Sequence, residues 1–296
     1  MARFGRVLTA MITPFDADEA LDVDAAVTLA KWLVEQGNEG LVVAGTTGES
    51  ATLSIDEKLT LFETLSNAVT VPIIAGTTGS NTRQDIGLTV EAGKLGVAGI
   101  LAVCPFYNRP SQAGLDAHFR AIAANTSLPV LLYDIPKRTG RKIDTATLVA
   151  LGTEVSNIVG VKDAAGDPGQ TALVNAATPP AFEVYSGDDP MTLPLLAVGA
   201  VGAIGVATHW CSPDHVQMFD AWEAGDTAGA RAHNVRQLES FQFETSDAVP
   251  NPLPAKAMLR TLGHAVGQAR LPMGPAPADL DDQARGVYDR LVASRG

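Results

Sequence analysis

Apolar and polar positions alternate along the chain on two length scales. Short apolar runs recur, and each is followed by a longer amphipathic stretch. The first run is Val7–Ile12, stopped by Thr13-Pro14. The others are Leu41–Ala44, Pro72–Ala75, Gly99–Val103, Val130–Tyr133, Ile158–Val161, Phe182–Ser186 and Ala203–Val206. Continuous apolar runs of this length fit strands covered on both faces. The stretches between them predict helices over 22–36, 54–68, 82–95, 112–124, 144–151, 169–177 and 213–223. Asp22 or Asp24 can cap the first helix and Gly37 stops it. Ser54-Ile55-Asp56-Glu57 has the form of a capping box for the second.

Strands that alternate with helices predict a parallel sheet. Eight such units, spaced roughly 28 residues apart, predict a closed (β/α)8 TIM barrel more than an open doubly wound sheet. No Gly-x-Gly-x-x-Gly follows the first run, so a dinucleotide-binding sheet has no support. After about Gly225 the alternation stops. Helices are predicted over 227–244, 255–262 and 278–294, separated by Pro250-Asn251-Pro252-Leu253-Pro254 and Leu271-Pro272-Met273-Gly274-Pro275. The expected organisation is a barrel catalytic domain over residues 1–224 and a helical C-terminal extension over 225–296.

Charge and composition narrow the partners. The 296 residues carry 33 acidic and 21 basic side chains, a net charge of −12. That argues against nucleic acid or an anionic membrane, both of which need a basic patch. Cys104 and Cys211 lie far apart and follow no ligand spacing, so reduced thiols and a cytoplasmic location are expected. The N-terminus holds no apolar segment of signal-peptide length, and no run approaches a membrane span.

In such a barrel the reactive groups gather at the C-terminal ends of the strands. There the chain places Thr46 and Thr47 in a Gly-bounded turn, Tyr107, Tyr133, Arg138, Lys162 and the Ile204-Gly205 pair. A lysine held against apolar surroundings is less stable as ammonium, so its neutral amine becomes available to attack a carbonyl and form a Schiff base. The Gly-Thr-Thr-Gly turn offers hydroxyls and free amides to a carboxylate. A tyrosine phenol on the neighbouring strand can move protons. Arg138 can hold an acidic second substrate bidentately. Each part also has a plainer reading: a snorkelling lysine, a tight loop, packing tyrosines, an exposed cluster of Lys137, Arg138, Arg141 and Lys142. Asp188-Asp189 could ligate a metal, but no histidine pair stands at ligand spacing nearby, and a structural or capping role fits better. No metal and no organic cofactor is expected. The coincidence of several such parts on one barrel face is what points to chemistry.

Gly45-Thr46-Thr47-Gly48-Glu49-Ser50, Tyr133-Asp134-Ile135-Pro136 and Gly160-Val161-Lys162-Asp163 resemble the signatures of the dihydrodipicolinate synthase / N-acetylneuraminate lyase family of class I aldolases. The resemblance runs from about Val7 to Pro275 and includes Asn251-Pro252-Leu253-Pro254-Ala255-Lys256. It implies a (β/α)8 barrel with a helical C-terminal extension, a pyruvate Schiff base on the lysine, and a homotetramer built as a dimer of dimers. By this likeness Lys162 is the nucleophile, and Thr47, Tyr133 and Tyr107 form a proton relay. Thr46 and Thr47 bind the pyruvate carboxylate, and Ile204 offers a backbone carbonyl near it. Pro105-Phe106-Tyr107-Asn108-Arg109-Pro110 resembles a loop that lends its tyrosine across a tight dimer interface. Arg138 matches an arginine that holds the carboxylate of aspartate semialdehyde.

The activity so implied is condensation of pyruvate with L-aspartate 4-semialdehyde, in lysine and diaminopimelate biosynthesis. A lyase for a sugar acid such as N-acetylneuraminate or 2-keto-3-deoxygluconate is the alternative within the family's chemistry. A keto-acid-binding barrel without turnover is the alternative outside it. Asp134 stands where many members carry asparagine, and Phe106 where many carry a second tyrosine. Lysine-inhibited members place histidines in the stretch that here runs Thr52 to Lys58, where this chain has Ile55 and Lys58. An effector ammonium would meet the Lys58 cation, so feedback inhibition by lysine is expected to be weak or absent.

Overall fold

The computed structural model describes residues 2–295. Eight parallel strands close into one barrel in chain order. They are β1 (Val7–Ala10), β2 (Gly40–Val43), β3 (Ile73–Gly76), β4 (Gly99–Val103), β5 (Val130–Asp134), β6 (Ile158–Asp163), β7 (Glu183–Ser186) and β8 (Gly202–Gly205). The helices around it are α1 (Val23–Glu35), α2 (Ile55–Ala68), α3 (Thr82–Ala92), α4 (Gln112–Ala123), α5 (Pro136–Thr139), α6 (Thr145–Glu154), α7 (Pro168–Ala177), α8 (Thr192–Leu196) and α9 (Thr208–Glu223). Three more follow: α10 (Thr227–Phe243), α11 (Leu253–Thr261) and α12 (Leu280–Ala293). None of the helices among the described residues is long and apolar enough to cross a membrane.

The caps explain the agreement with the sequence pattern at the helix starts. Asp22 accepts from the Ala25 amide, and Ser54 with Glu57 forms the complete capping box. Two short helices, α5 and α8, lack the length to show a periodicity and were not expected. The start of α9 differs as well. Pro213 suggests a first turn, but α9 begins five residues earlier, at Thr208. An interior proline forgoes one backbone bond, and here the turn before it is buried, so packing outweighs that loss.

Two apolar layers hold the barrel. Leu8, Val42, Ile74, Leu101, Leu131, Tyr133, Val159, Tyr185 and Ile204 fill its interior. Residues such as Leu41, Val130, Leu132, Ile158, Val161 and Val184 face the helices. On β5 the two sets alternate strictly: Val130 out, Leu131 in, Leu132 out, Tyr133 in. On β6 they do not. Val130 pairs with Ile158 but Leu131 pairs with Gly160, so β6 carries one extra residue at a bulge. Because side chains alternate with period two, one extra residue reverses the face of everything after it. Val161 therefore faces out, and Lys162 pairs with the inward Tyr133 on one side and the inward Tyr185 on the other.

Gly160 permits the bulge. A Cβ there would lie 2.1 Å from the Glu183 carbonyl oxygen and 3.0 Å from Leu131. The barrel mouth is then tied to the C-terminal helices by a buried ion pair, Lys256 to Glu49 at 2.7 Å. Lys256 Nζ also donates to the Gln268 carbonyl, and Arg270 pairs with Glu57. Substituting Gly160→Ala is expected to destabilise the fold by about 2 kcal/mol or more, through overpacking against backbone that cannot move aside. Urea unfolding checks it; a midpoint equal to that of the parent would show that the bulge tolerates a side chain.

Candidate active site

The C-terminal ends of the strands open into two adjoining cavities. The smaller, about 340 Å³, contains Lys162, Thr46, Thr47, Tyr133, Arg138, Asp188, Glu244 and Asn251 among its walls. The larger, about 740 Å³, shares Thr46, Tyr133, Arg138 and Asn251 with it and reaches out to Tyr107, Lys58 and Asp85. The bulge in β6 thus delivers Lys162 to the floor of a cleft formed by several loops.

Lys162 is only 4% exposed, and its Nζ lies 4.4 Å from the centroid of the Tyr133 ring. Burial pushes the amine down to about 8; Asp189 opposes the shift and the Arg138 guanidinium adds to it. About a tenth of the amine is therefore uncharged at pH 7, far more than for an ordinary lysine, and an uncharged buried amine is a nucleophile toward a carbonyl carbon. Gly187 leaves room for the lysine stem. A Cβ there would lie 2.8 Å from Lys162 Cγ and 2.9 Å from its Cε.

Tyr133 is buried, and burial raises its phenol well above the ordinary tyrosine value, so it stays protonated and can donate. Thr46 lines the same cavity as Tyr133 and opposes part of that rise. Thr47, which the sequence reading put beside Tyr133 in a relay, turns away: its Oγ1 accepts from Asn251 Nδ2 at 2.9 Å. The two adjacent threonines thus differ in their surroundings, with Thr47 tied to the C-terminal segment. Arg138, on α5, stands at the cavity with Nη2 3.5 Å from the Asn251 carbonyl. Ile204 is placed differently from these: its side chain lies in the barrel interior, so only its backbone can face a ligand. Tyr107 is 95% exposed with φ of +72°, and among the described residues its phenol has no hydrogen-bond partner in the chain.

Four further residues belong to the site and escaped the sequence reading as such: Asn251, Gly187, Asp189 and Glu244. Asn251 sits in a proline-rich breaker, and a polar side chain amid prolines that is nonetheless buried was the available signal. Asp189 accepts from the Val206 amide at 2.7 Å, a structural use of an aspartate weighed earlier as a metal ligand. Asp134 accepts from the Ile143 amide, and burial raises it to about 7. Its neutral acid form can stand in for the asparagine expected there. Both thiols are buried and held up by that burial, Cys104 to about 12, so neither is a nucleophile near neutrality.

The sequence profile of the dihydrodipicolinate synthetase family matches residues 3–288. The chain belongs to that family. A 4-hydroxy-tetrahydrodipicolinate synthase of Symbiobacterium thermophilum is 48% identical over 289 residues, which cover 97% of this chain and 98% of that one. The crystal structure of a dihydrodipicolinate synthase from Bacillus anthracis superposes with a TM-score of 0.94 at 39% identity, covering 98% of this chain and 99% of that one. A dihydrodipicolinate synthase of Cyanidioschyzon merolae, solved with lysine bound, matches with a TM-score of 0.94 at 40% identity over 98% of each chain. As in any member of a lysine-bearing barrel family, the placement of the amine decides what can react. Substituting Gly187→Ala in this family member is expected to displace the Lys162 stem and slow imine formation with a 2-keto acid roughly 100-fold. Borohydride trapping followed by intact mass reads that rate; an unchanged rate would show that the stem has slack.

Proposed function

We propose that the chain is a 4-hydroxy-tetrahydrodipicolinate synthase that condenses pyruvate with L-aspartate 4-semialdehyde through a Schiff base on Lys162. The observation behind this reading is a buried amine brought down to about 8 and seated on the Tyr133 ring, in a chain whose relatives carry that name.

The neutral Nζ attacks the keto carbon of pyruvate. As the C–N bond forms, the carbonyl π pair moves to oxygen, which takes the Tyr133 proton. The nitrogen, now an ammonium, gives one proton to the tyrosinate, which passes it to the new hydroxyl; that leaves as water while the freed nitrogen lone pair forms the iminium. The Tyr133 phenolate takes a methyl proton to give an enamine, whose carbon attacks the aldehyde of the second substrate while the aldehyde oxygen takes that proton back from Tyr133. That substrate's amino group then adds to the iminium carbon, closes the ring and returns Lys162 as an amine. Thr46 passes protons to and from Tyr133. Thr46, Thr47 and their amides hold the pyruvate carboxylate, with Thr47 oriented by Asn251. The Ile204 carbonyl stands by, and Arg138 receives the carboxylate of the semialdehyde.

In the same reading Tyr107 works in a neighbouring copy of the chain, within a cytoplasmic homotetramer arranged as a dimer of dimers. Its exposure and left-handed backbone support a role outside its own chain. Residues 225–296 serve as an extension of the barrel domain, 1–224, and supply Glu244 and Asn251 to the cavity.

A coupled assay with both substrates tests the reading. Wild type is expected to turn over at about 1–1000 per second, the usual enzymatic range. Lys162→Ala is expected to lose turnover and pyruvate trapping together while keeping its fold by circular dichroism. Because the amine must be neutral to attack, kcat/KM for pyruvate should rise with pH and level off above about 8. A normally active Lys162→Ala protein would refute the mechanism.

Lysine is a separate question. Lys58 lines the larger cavity opposite Asp85, and burial lowers its amine while Asp85 supports the charge. A lysine effector would meet this cation first. Sub-millimolar lysine is therefore expected to leave the rate unchanged, and half-inhibition in that range would contradict the expectation.

A further inference from the structure

Behind Lys162 lies a set of buried acidic and imidazole groups that the proposed chemistry does not use. Asp189 opens the 3-10 turn Asp189–Met191 ahead of α8, and Glu244 caps the C-terminus of α10. Both side chains are buried. Asp189 Oδ2 accepts from the Val206 amide at 2.7 Å and lies 3.4 Å from the Ala207 nitrogen. Glu244 Oε2 accepts from that same Ala207 amide at 3.0 Å. Two carboxyl oxygens from distant parts of the chain thus converge on one N–H. Two ionised carboxylates drawn onto one N–H repel each other, and a single proton on the pair removes that repulsion. Gly205 makes room for the pair, since a Cβ there would lie 2.3 Å from Asp189 Oδ1. On the far side Asp189 Oδ1 faces His215 Nε2 at 3.5 Å.

We propose that Asp189 and Glu244 act as one monoanionic carboxyl pair that sets the protonation of Lys162 and supplies the counter-charge of the iminium formed on it. This rests on the Schiff-base reading of Lys162. The pair is a positioning device that works through the lysine. Lys162 has to be neutral when it attacks and cationic once the imine has formed. Burial alone favours the first state and penalises the second. A single fixed negative charge behind the nitrogen restores part of the second without abolishing the first. A dianion would hold the lysine as ammonium, and a neutral pair would let the iminium lose its proton and its electrophilicity.

The charges around the pair agree with this assignment. Lys162 on β6, Arg138 on α5 and Asp188 share the smaller cavity with Glu244. His209, Cys211 and His215 face Asp189 from α9. Glu244 is raised well above the carboxylate range by burial and by Asp189. Burial works the same way on Asp189, but His215, Glu244 and the Val206 amide hold it below that range. The proton therefore resides on Glu244 and the charge on Asp189.

The test is the pH dependence of pyruvate trapping by borohydride on the full-length protein, read by intact mass. In wild type the trapping rate should rise through an acid limb near 8. Asp189→Asn removes the charge, and the limb should move down by about one pH unit. Glu244→Gln keeps the single negative charge, and the limb should stay in place. Should Asp189→Asn not fold, Asp189→Ser also removes the charge, keeps an acceptor for the Val206 amide and carries the same expectation. A limb unmoved by loss of Asp189, or moved as far by Glu244→Gln, would overturn the inference. A wild-type protein that traps no pyruvate at all would instead overturn the Schiff-base reading.

Discussion

One extra residue in β6 decides which way Lys162 faces. Parallel strands in a barrel present alternate side chains to the interior, and a lysine four positions after the outward Ile158 would ordinarily face the helices. The bulge at Val159–Gly160 reverses that parity. The amine then enters the barrel mouth between Tyr133 and Tyr185 instead of the outer apolar layer. Everything else at the site follows from this turn. Tyr133 lies under the nitrogen because its strand keeps strict register with β6 after the bulge. Gly187 lacks a side chain because the lysine stem passes over it.

The inward position creates an electrostatic conflict. An ammonium loses hydration there, and an unsupported iminium would lose it too. The fold answers with graded compensation. Tyr133 presents its ring to the nitrogen, a soft stabilisation available to a cation at little cost to the neutral amine. The carboxyls of Asp189 and Glu244 stand farther back, where a Coulomb attraction survives but no direct ion pair with Lys162 forms. Arg138 pulls the other way and keeps the amine from becoming permanently charged.

The barrel was legible because strands buried on both faces write themselves as uninterrupted apolar runs, and because Ser54 and Glu57 announce a helix start locally. Lys162, Tyr133, Arg138 and the threonine turn were legible as motifs at strand ends. What escaped depends on contacts between distant segments. Ile158-Val159-Gly160-Val161 reads as a plain strand, since the extra residue appears only in its pairing with β5. Thr46 and Thr47 are chemically equivalent in sequence; an asparagine 204 positions from Thr47 sets their surroundings apart. Glu244 looks like the polar end of a surface helix, and only the convergence with Asp189 on one amide shows otherwise. Pro213 misdirected the start of α9 because a local preference was overridden by burial of the preceding turn.

The loop after β4 follows a different physical logic from the strand ends. Tyr107 and Arg109 both adopt left-handed backbone, with φ of +72° and +46°, which costs energy for residues with side chains. The loop is nonetheless held in place. Asn108 Nδ2 donates to the Ser80 carbonyl, Ser80 Oγ donates to the Phe106 carbonyl, and Arg141 donates to the Arg109 carbonyl. Such over-determination maintains a conformation that leaves an aromatic ring almost wholly in water. The strain becomes intelligible when the ring inserts into a second copy, as the proposed dimer requires. The chain would then spend its own folding energy to pre-form a contact, so that association need not order the loop as well. Rigid strand ends would supply the amine and phenol within each chain, while a strained loop would complete the relay only on assembly.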